Sequence, residues 1–354
     1  MKNNLLLIFC LTLLLSTFGC GDDDGTATPT GDYSEIIANI SDDVIISTYA
    51  DLDQQATELV YYLDLLQASV TVQNLENARQ AWRDAREPWE LSEGFLYGPV
   101  DTKGLDPSLD SWPVNQTDLD NVLASSNELN VTYIDGLDGT LKGFHTIEYL
   151  LFGANGDKQI GDFNTRQFEY LSACGQSLKN TTAQLVGGWL PSEGNFVKNF
   201  KEAGTGTAAS VYPSQKAVLE EVMNGLVTIA DEVANGKINE PFSQQNVALE
   251  ESRFSANSKA DFADNIRSIR NVWLGTHLNA SGKGMSALIE PKDAALDAKV
   301  KAEIEAAITA IESIPGTFTT AIFEHPSDVQ AAQQAVRDLL ATLQGEVLPL
   351  VSNL

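Results

Sequence analysis

The sequence predicts an all-α protein built from two helical bundles. Three observations carry that prediction. Apolar residues recur at spacings of three and four along almost the whole chain, no segment sustains the alternation of a half-buried strand, and glycine- and proline-rich breaks separate stretches of helical length. Ile36, Ile37, Ile40, Val44 and Ile45 open a long first helix, which Leu52, Leu59, Leu63 and Leu66 continue on one core-facing stripe. A second helix starts after Asn74 and runs through Trp82 towards Leu96, with Pro88 inside it expected to kink it or break a backbone bond there. Residues 98–116 form a loop punctuated by Gly98, Pro99, Gly104, Pro107 and Pro113, and Trp112 and Val114 indicate that it packs down on the core. A short helix near 117–125 follows, then a strongly helical stretch from Thr140 to Phe152 that Gly153 stops. Further helices are expected at 164–187, 214–235, 259–274, 293–313 and 326–347, with 239–258 polar and mostly irregular. The flexible Gly204-Thr205-Gly206-Thr207 crossing divides a bundle at 33–205 from one at 206–354. Both are four-helix-bundle-like, and their similar length and order of elements suggest an internal duplication.

The N-terminus reads as an address. Lys2 supplies a positive start, Leu5 to Leu15 an apolar run too short to span a bilayer, and Ser16-Thr17-Phe18-Gly19-Cys20 a loose lipobox. Residues 1–19 are therefore expected to leave as a lipoprotein signal peptide, with Cys20 lipidated and 20–32 a polar, disordered tether. Asp22, Asp23 and Asp24 directly after that cysteine resemble the surface-export signal of Bacteroidetes lipoproteins. The expected location is the cell outer membrane, on its periplasmic or outer face, with the lipid as the sole membrane attachment. Loss of Cys10 and lipidation of Cys20 leave Cys174 alone, in the apolar pattern of a buried structural cysteine.

Charge narrows the function. The chain has 22 Lys and Arg against 49 Asp and Glu, a formal charge of −27. Nucleic acid is excluded as a partner, because phosphate binding needs clustered cations. Three histidines and three cysteines exclude a four-cysteine zinc site and a disulfide framework.

One stretch carries chemistry: Gly143-Phe144-His145-Thr146-Ile147-Glu148. Three residues apart on a helix, His145 and Glu148 share a face, and their apolar flanks place them in or beside the core. A buried carboxylate costs several kcal/mol unless paired or bound to a cation. A mutual His–Glu hydrogen bond would satisfy both. Glu90 and Glu93 repeat the spacing among Trp89, Phe95, Leu96 and Tyr97, where solvated acids are not expected. Pairing of Glu93 with Arg83 or Arg86 is the simpler account. Two acids on one helix and a His/Glu pair on another also match the arithmetic of carboxylate metal sites in bundles. Such a mixed set suits Fe, Mn or Zn.

These residues resemble the imelysin-like family, known for its GxHxxE motif, which Gly143, His145 and Glu148 match. So do the block from Ala81-Trp82 to Gly98-Pro99, the loop Leu109-Asp110-Ser111-Trp112-Pro113, Glu250-Glu251-Ser252-Arg253-Phe254-Ser255 with Asp261-Phe262 and Asn265-Ile266, and Gly282-Lys283-Gly284-Met285. The likeness spans nearly all of 35–350. It implies two helical bundles with a cleft between them and envelope proteins tied to iron acquisition. By the same likeness His145, Glu148, Glu90, Glu93 and Asp110 are the implied metal ligands, iron foremost, with zinc or copper as the other candidates. Glu250, Arg253 and Ser255 would line the opposite wall, Arg253 orienting a carboxylate. The cargo is a metal ion or an iron-bearing ligand, and the implied partner is an outer-membrane iron transporter.

The family is also filed among metallopeptidases, so a metal-dependent peptidase is one alternative; a structural or partner-docking lipoprotein is another. The peptidase reading lacks its usual motif. Tyr149 stands where an HxxEH helix needs its second histidine, and His277 and His325 fall at a helix end and a turn. Gly282-Lys283-Gly284 lacks the spacing of a phosphate loop and reads as a turn.

Overall fold

The helical periodicity of the sequence becomes helix nearly everywhere. The computed structural model describes residues 31–206, 210–278 and 280–354. Cys20, the signal segment and most of the 20–32 tether lie outside the described residues, as does Thr207 of the glycine-rich crossing. Helix α1 runs without interruption through Ser34–Asn39, a π-helical segment Ile40–Ile46, and Ser47–Ala68. It is followed by α2 (Val72–Glu90), α3 (Gly143–Phe152) and α4 (Thr165–Trp189). The second half supplies α5 (Gln215–Asp231, extended by a π segment Glu232–Lys237), α6 (Ser258–Leu274), α7 (Ala294–Glu312) and α8 (Pro326–Thr342).

In the first half α1 packs on α2 and α4, and α3 packs on both α2 and α4. In the second, α7 packs on α6 and α8, and α5 on α8. Helix α6 also lies against α2 and joins the two sets; Asp32–Leu354 forms one compact unit. Trp82, Trp89, Trp189 and Trp273 are all fully buried. Each large ring removes apolar surface from water, the main favourable term in folding. Cys174 is a buried free thiol, and burial pushes its pKa up, as suits a structural residue.

Pro88 lies inside α2 as expected, and the helix continues past it to Glu90. The carbonyl deprived of its partner belongs to Asp84, which is exposed, so water can take the place of the lost N–H. The region 239–258 is not irregular throughout: it holds a short helix Asn239–Gln244 and a 3-10 turn Val247–Leu249. Two strands do occur, Thr276–His277 paired antiparallel with Ala280–Ser281. The Gly282-Lys283-Gly284 turn follows this hairpin and is tied to α1, where Asn39 Nδ2 donates to the carbonyls of Gly275 (3.0 Å) and Lys283 (3.2 Å).

The turn Glu93–Phe95 after α2 is the point where both halves meet. The Gly94 N–H donates to Ser268 Oγ on α6 at 2.9 Å, and a Cβ on Gly225 of α5 would stand 2.3 Å from the Gly94 carbonyl oxygen. This close approach requires glycine at 225, because the obstructing atom is backbone. Gly225→Ala is expected to cost about 1–3 kcal/mol. A lowered urea midpoint with an unchanged slope would show it; an unchanged midpoint would contradict the packing.

Candidate metal site

The site begins with a backbone requirement. Gly143 opens α3 at φ 74°, and a Cβ there would lie 2.3 Å from the Leu109 carbonyl oxygen. Both the left-handed conformation and the missing side chain let the 106–110 segment lie directly on the start of α3. That contact brings Asp110 to His145.

His145 is 2% exposed and Glu148 fully buried. The imidazole Nδ1 lies 3.1 Å from Glu148 Oε2; a carboxylate only accepts, so this nitrogen carries the proton. Glu148 is itself held, because Oε1 accepts from the Ser255 N–H and hydroxyl, both at 2.7 Å. The ring is thereby oriented with Nε2 3.1 Å from Asp110 Oδ1 and 3.8 Å from Glu251 Oε1, yet in hydrogen-bond geometry with neither. A bare lone pair facing two carboxylates is repulsive. A proton or a cation must occupy that side.

Around this histidine lies a buried ion network. Arg86, on α2 and fully buried, contacts Asp110, Glu90, Glu251 (2.7 Å) and Asp261 (3.5 Å). Trp89 Nε1 donates to the other oxygen of Asp110 at 2.7 Å. Lys237, at the end of the π segment, reaches Glu93 at 2.7 Å, Glu251 at 3.1 Å and Glu90 at 3.4 Å. Asn265 of α6 donates to Glu90 Oε2 at 2.5 Å and to Glu93 Oε2 at 3.1 Å.

The acids separate by environment. Burial pushes Asp110 up, but Arg86 and His145 overcome it and hold its carboxyl well below the usual range. Burial is likewise outweighed at Glu251, which Lys237, His145 and Arg86 lower to about 2. At Glu90 and Glu93 burial wins, and both lie well above ordinary carboxyl values. Burial and Arg86 push His145 down, but Asp110 and Glu148 raise it well above the ordinary histidine. Asp110 and Glu251 are thus held ionised, and Glu90 and Glu93 retain protons most readily.

Two donor sets result among the described residues. Asp110, His145 and Glu251 have ligand atoms within 4.8 Å of one another, and so do Glu90, Glu93, Asp110 and Glu251. Asp110 thus joins His145 in one set and Glu90 and Glu93 in the other, and His145 shares a set with neither glutamate. Glu148 belongs to neither set; both its oxygens are taken, and it positions the imidazole instead of offering a ligand atom. Ser255 serves Glu148. Glu250 is held by Ser258 (2.7 Å) and Thr319 (3.0 Å) and belongs to neither donor set, where its neighbour Glu251 supplies the carboxylate. Arg253 stacks over the Phe254 ring at 4.2 Å, while Arg86 is the guanidinium that orients the acids. Lys237 had no distinguishing signal in its own segment, and Asp261 was marked only by the family resemblance. Glu251 and Arg86 were visible in the sequence as neighbours of quoted residues, but only the fold aims them inward.

A cavity of ≈ 190 Å³ opens onto His145 and Glu148, lined also by Trp112, Glu250, Arg253 and Phe254. A second, of ≈ 260 Å³, reaches Glu93 and Asp110 past Asp106, Trp112 and Glu232. Trp112 stands between them, its ring 6.1 Å from that of His145 and 5.5 Å from Lys237 Nζ.

The family model described as Imelysin (Peptidase_M75) matches residues 45–344. The chain belongs to the imelysin family. This imelysin is similar to iron-regulated protein A of Synechococcus elongatus, at 29% identity over 335 residues, covering 94% of this chain and 89% of that protein. It is also similar to a crystal structure from Parabacteroides distasonis assigned as an iron-regulated protein A precursor: TM-score 0.80 and 29% identity, over 88% of this chain and 93% of that one. An imelysin-like protein from Psychrobacter arcticum shares the fold at TM-score 0.72 and 12% identity, over 89% of this chain and 94% of that one.

Two outcomes follow from the geometry. Arg86→Leu strands several buried carboxylates and is expected to cost about 3–5 kcal/mol at neutral pH, measured by urea unfolding; a loss under about 1 kcal/mol would show the acids to be otherwise satisfied. For the metal-free protein, Glu250 and Asp264 are pushed up to about 7, chiefly by burial, and Asp261 to about 6. The folded state then binds more protons than the unfolded one, so stability should rise as pH falls from about 8 to about 5. Glu251 acts oppositely: its contribution is full above about 4.5 and fades as pH falls towards 2. Unfolding midpoints that climb steadily from pH 5 to pH 8 would contradict this balance.

Proposed function

We propose that this imelysin binds a metal ion, iron foremost, at His145, Asp110 and Glu251, and serves iron handling at the cell envelope. The observation that carries the reading is His145 Nε2, buried, locked in direction by Glu148, and aimed without a hydrogen bond at two ionised carboxylates. A histidine whose second nitrogen is fixed by a carboxylate is the usual arrangement of a metal-bound imidazole. One imidazole with two carboxylates suits iron, manganese or zinc and lacks the sulfur that selects Cu(I). Iron regulation in the names of two relatives supports iron among these.

Each residue has a task in this reading. Asp110 and Glu251 offer anionic oxygens, and His145 offers Nε2. Glu148 and Ser255 keep the ring from turning, and Arg86 fixes Asp110 and Glu251 so that little reorganisation accompanies capture. The ≈ 190 Å³ cavity over His145 is smaller than the roughly 300–1,000 Å³ typical of pockets for drug-sized ligands. That favours a bare ion, or one carrying a small ligand, over a haem or siderophore. A lipid on Cys20 would hold the protein at the outer membrane, beside a transporter able to take the ion. Among the described residues no helix is long and apolar enough to cross a membrane.

Anaerobic titration of the metal-free protein with Fe(II), Zn(II) and Mn(II) tests the reading. Saturable binding is expected, lost in His145→Ala and Asp110→Ala, and weakened about 10–100-fold in Glu148→Gln. Bound metal at a hundredfold excess over Kd should add about 2.7 kcal/mol of stability. Absence of saturable binding, with folding intact, would sink the proposal. Metal-dependent cleavage of casein, abolished in Glu148→Gln with metal still bound, would move the assignment to a peptidase.

A further inference from the structure

The ammonium of Lys237 stands in the second donor set, and its position suggests a purpose. It is fully buried, and its three N–H donors are spent on Glu93 Oε2 at 2.7 Å, Glu251 Oε1 at 3.3 Å and Glu90 Oε2 at 3.4 Å. Two of these are long, and Glu251 Oε2, though 3.1 Å away, is left without a hydrogen bond, while the buried Glu90 Oε1 faces the Arg86 guanidinium. One ammonium with tetrahedral donors cannot serve this many carboxylate oxygens. A metal ion of six-fold or higher coordination can accept more oxygens than an ammonium has donors.

The approach to this position is also separate. The ≈ 260 Å³ cavity that reaches Glu93 and Asp110 is lined by Asp106, Glu232 and Trp112 and by no cationic side chain. Trp112 separates it from the cavity over His145. A cation attracted into the acidic mouth would meet a carboxylate cluster already holding a positive charge.

We propose that Lys237 is a built-in blocking cation: its ammonium fills the Glu90–Glu93–Glu251 set and limits the protein to a single metal ion, on the His145 side. The idea rests on the proposed metal site, and the two can fail separately. Removing the ammonium should open a second ion position whose ligands are Glu90, Glu93 and the oxygens of Asp110 and Glu251 not engaged on the His145 side.

Equilibrium dialysis of the metal-free full chain against Mn(II), and anaerobically against Fe(II), counts the ions. The wild type is expected to bind one ion per chain and Lys237→Met two, with Glu93→Gln added to Lys237→Met returning the count to one. Lys237→Gln, which keeps a donor for Glu93, asks the same question should Lys237→Met not fold; circular dichroism checks each variant. Lys237→Arg keeps the charge and should remain at one. A count of one in both neutral variants, or of two in the wild type, overturns the blocking role and leaves the His145 site standing. A wild type that binds nothing while a neutral variant binds one ion overturns the His145 site and upholds the block. No binding in any variant overturns both.

Discussion

The rest of the structure depends on a buried network in which Arg86 and Lys237 hold together acids from both halves of the chain. Removing a carboxylate from water costs several kcal/mol, and a buried ion pair recovers that only with good geometry and further hydrogen bonds. Here Glu90, Glu93, Asp110, Glu148, Glu251 and Asp261 outnumber Arg86, Lys237 and His145. A core of apolar residues in the same volume would be at least as stable. Surplus negative charge in a closed interior therefore points to a task beyond stability, and perturbed carboxyls facing cavities are where such tasks concentrate.

The network corrects a simple view of these acids. Convergence with an imidazole does occur, but an external ion is not the sole means of making it tolerable. Arg86 spreads one charge over four carboxylates, Lys237 another over three, and protons held at Glu90 and Glu93 reduce what is left. What remains is local: the Nε2 face of His145, where a proton stands between the ring and two carboxylates in the metal-free protein. The division of labour also explains the motif's parts. Gly143 admits the Asp110 segment, His145 presents one nitrogen, and Glu148 fixes the other.

Membership of the imelysin family accounts for the fold, and the crystal structure at 29% identity shares it over 93% of its length. Fold alone does not assign chemistry, which resides in the side chains a fold presents. Among the described residues both donor sets together contain one imidazole. His277 sits near Asp51, and His325 precedes Pro326 at the start of α8. The arrangement is therefore richer in oxygen donors than a peptidase helix with two histidines.

The sequence by itself determined the elements. Spacings of three and four placed every long helix to within a few residues, because a core-facing stripe must repeat with the helical period. It also placed His145, Glu148, Glu90 and Glu93 as buried polar residues, since each stands among large apolar neighbours, whereas Asp110 entered only through the family resemblance. Only the tertiary structure decided which charge answers which. Lys237 lies more than a hundred residues from Glu90 and Glu93, as Asp261 does from Arg86, and nothing in the Lys237 segment distinguishes it from solvated residues. The choice of Glu251 over Glu250 turned on which of two adjacent side chains the 250–256 turn aims inward. Glu148 became a support and not a ligand because Ser255 arrives from the other half to occupy its free oxygen. Helical period is a local property of the chain, whereas electrostatic partners are set by where remote segments come to rest.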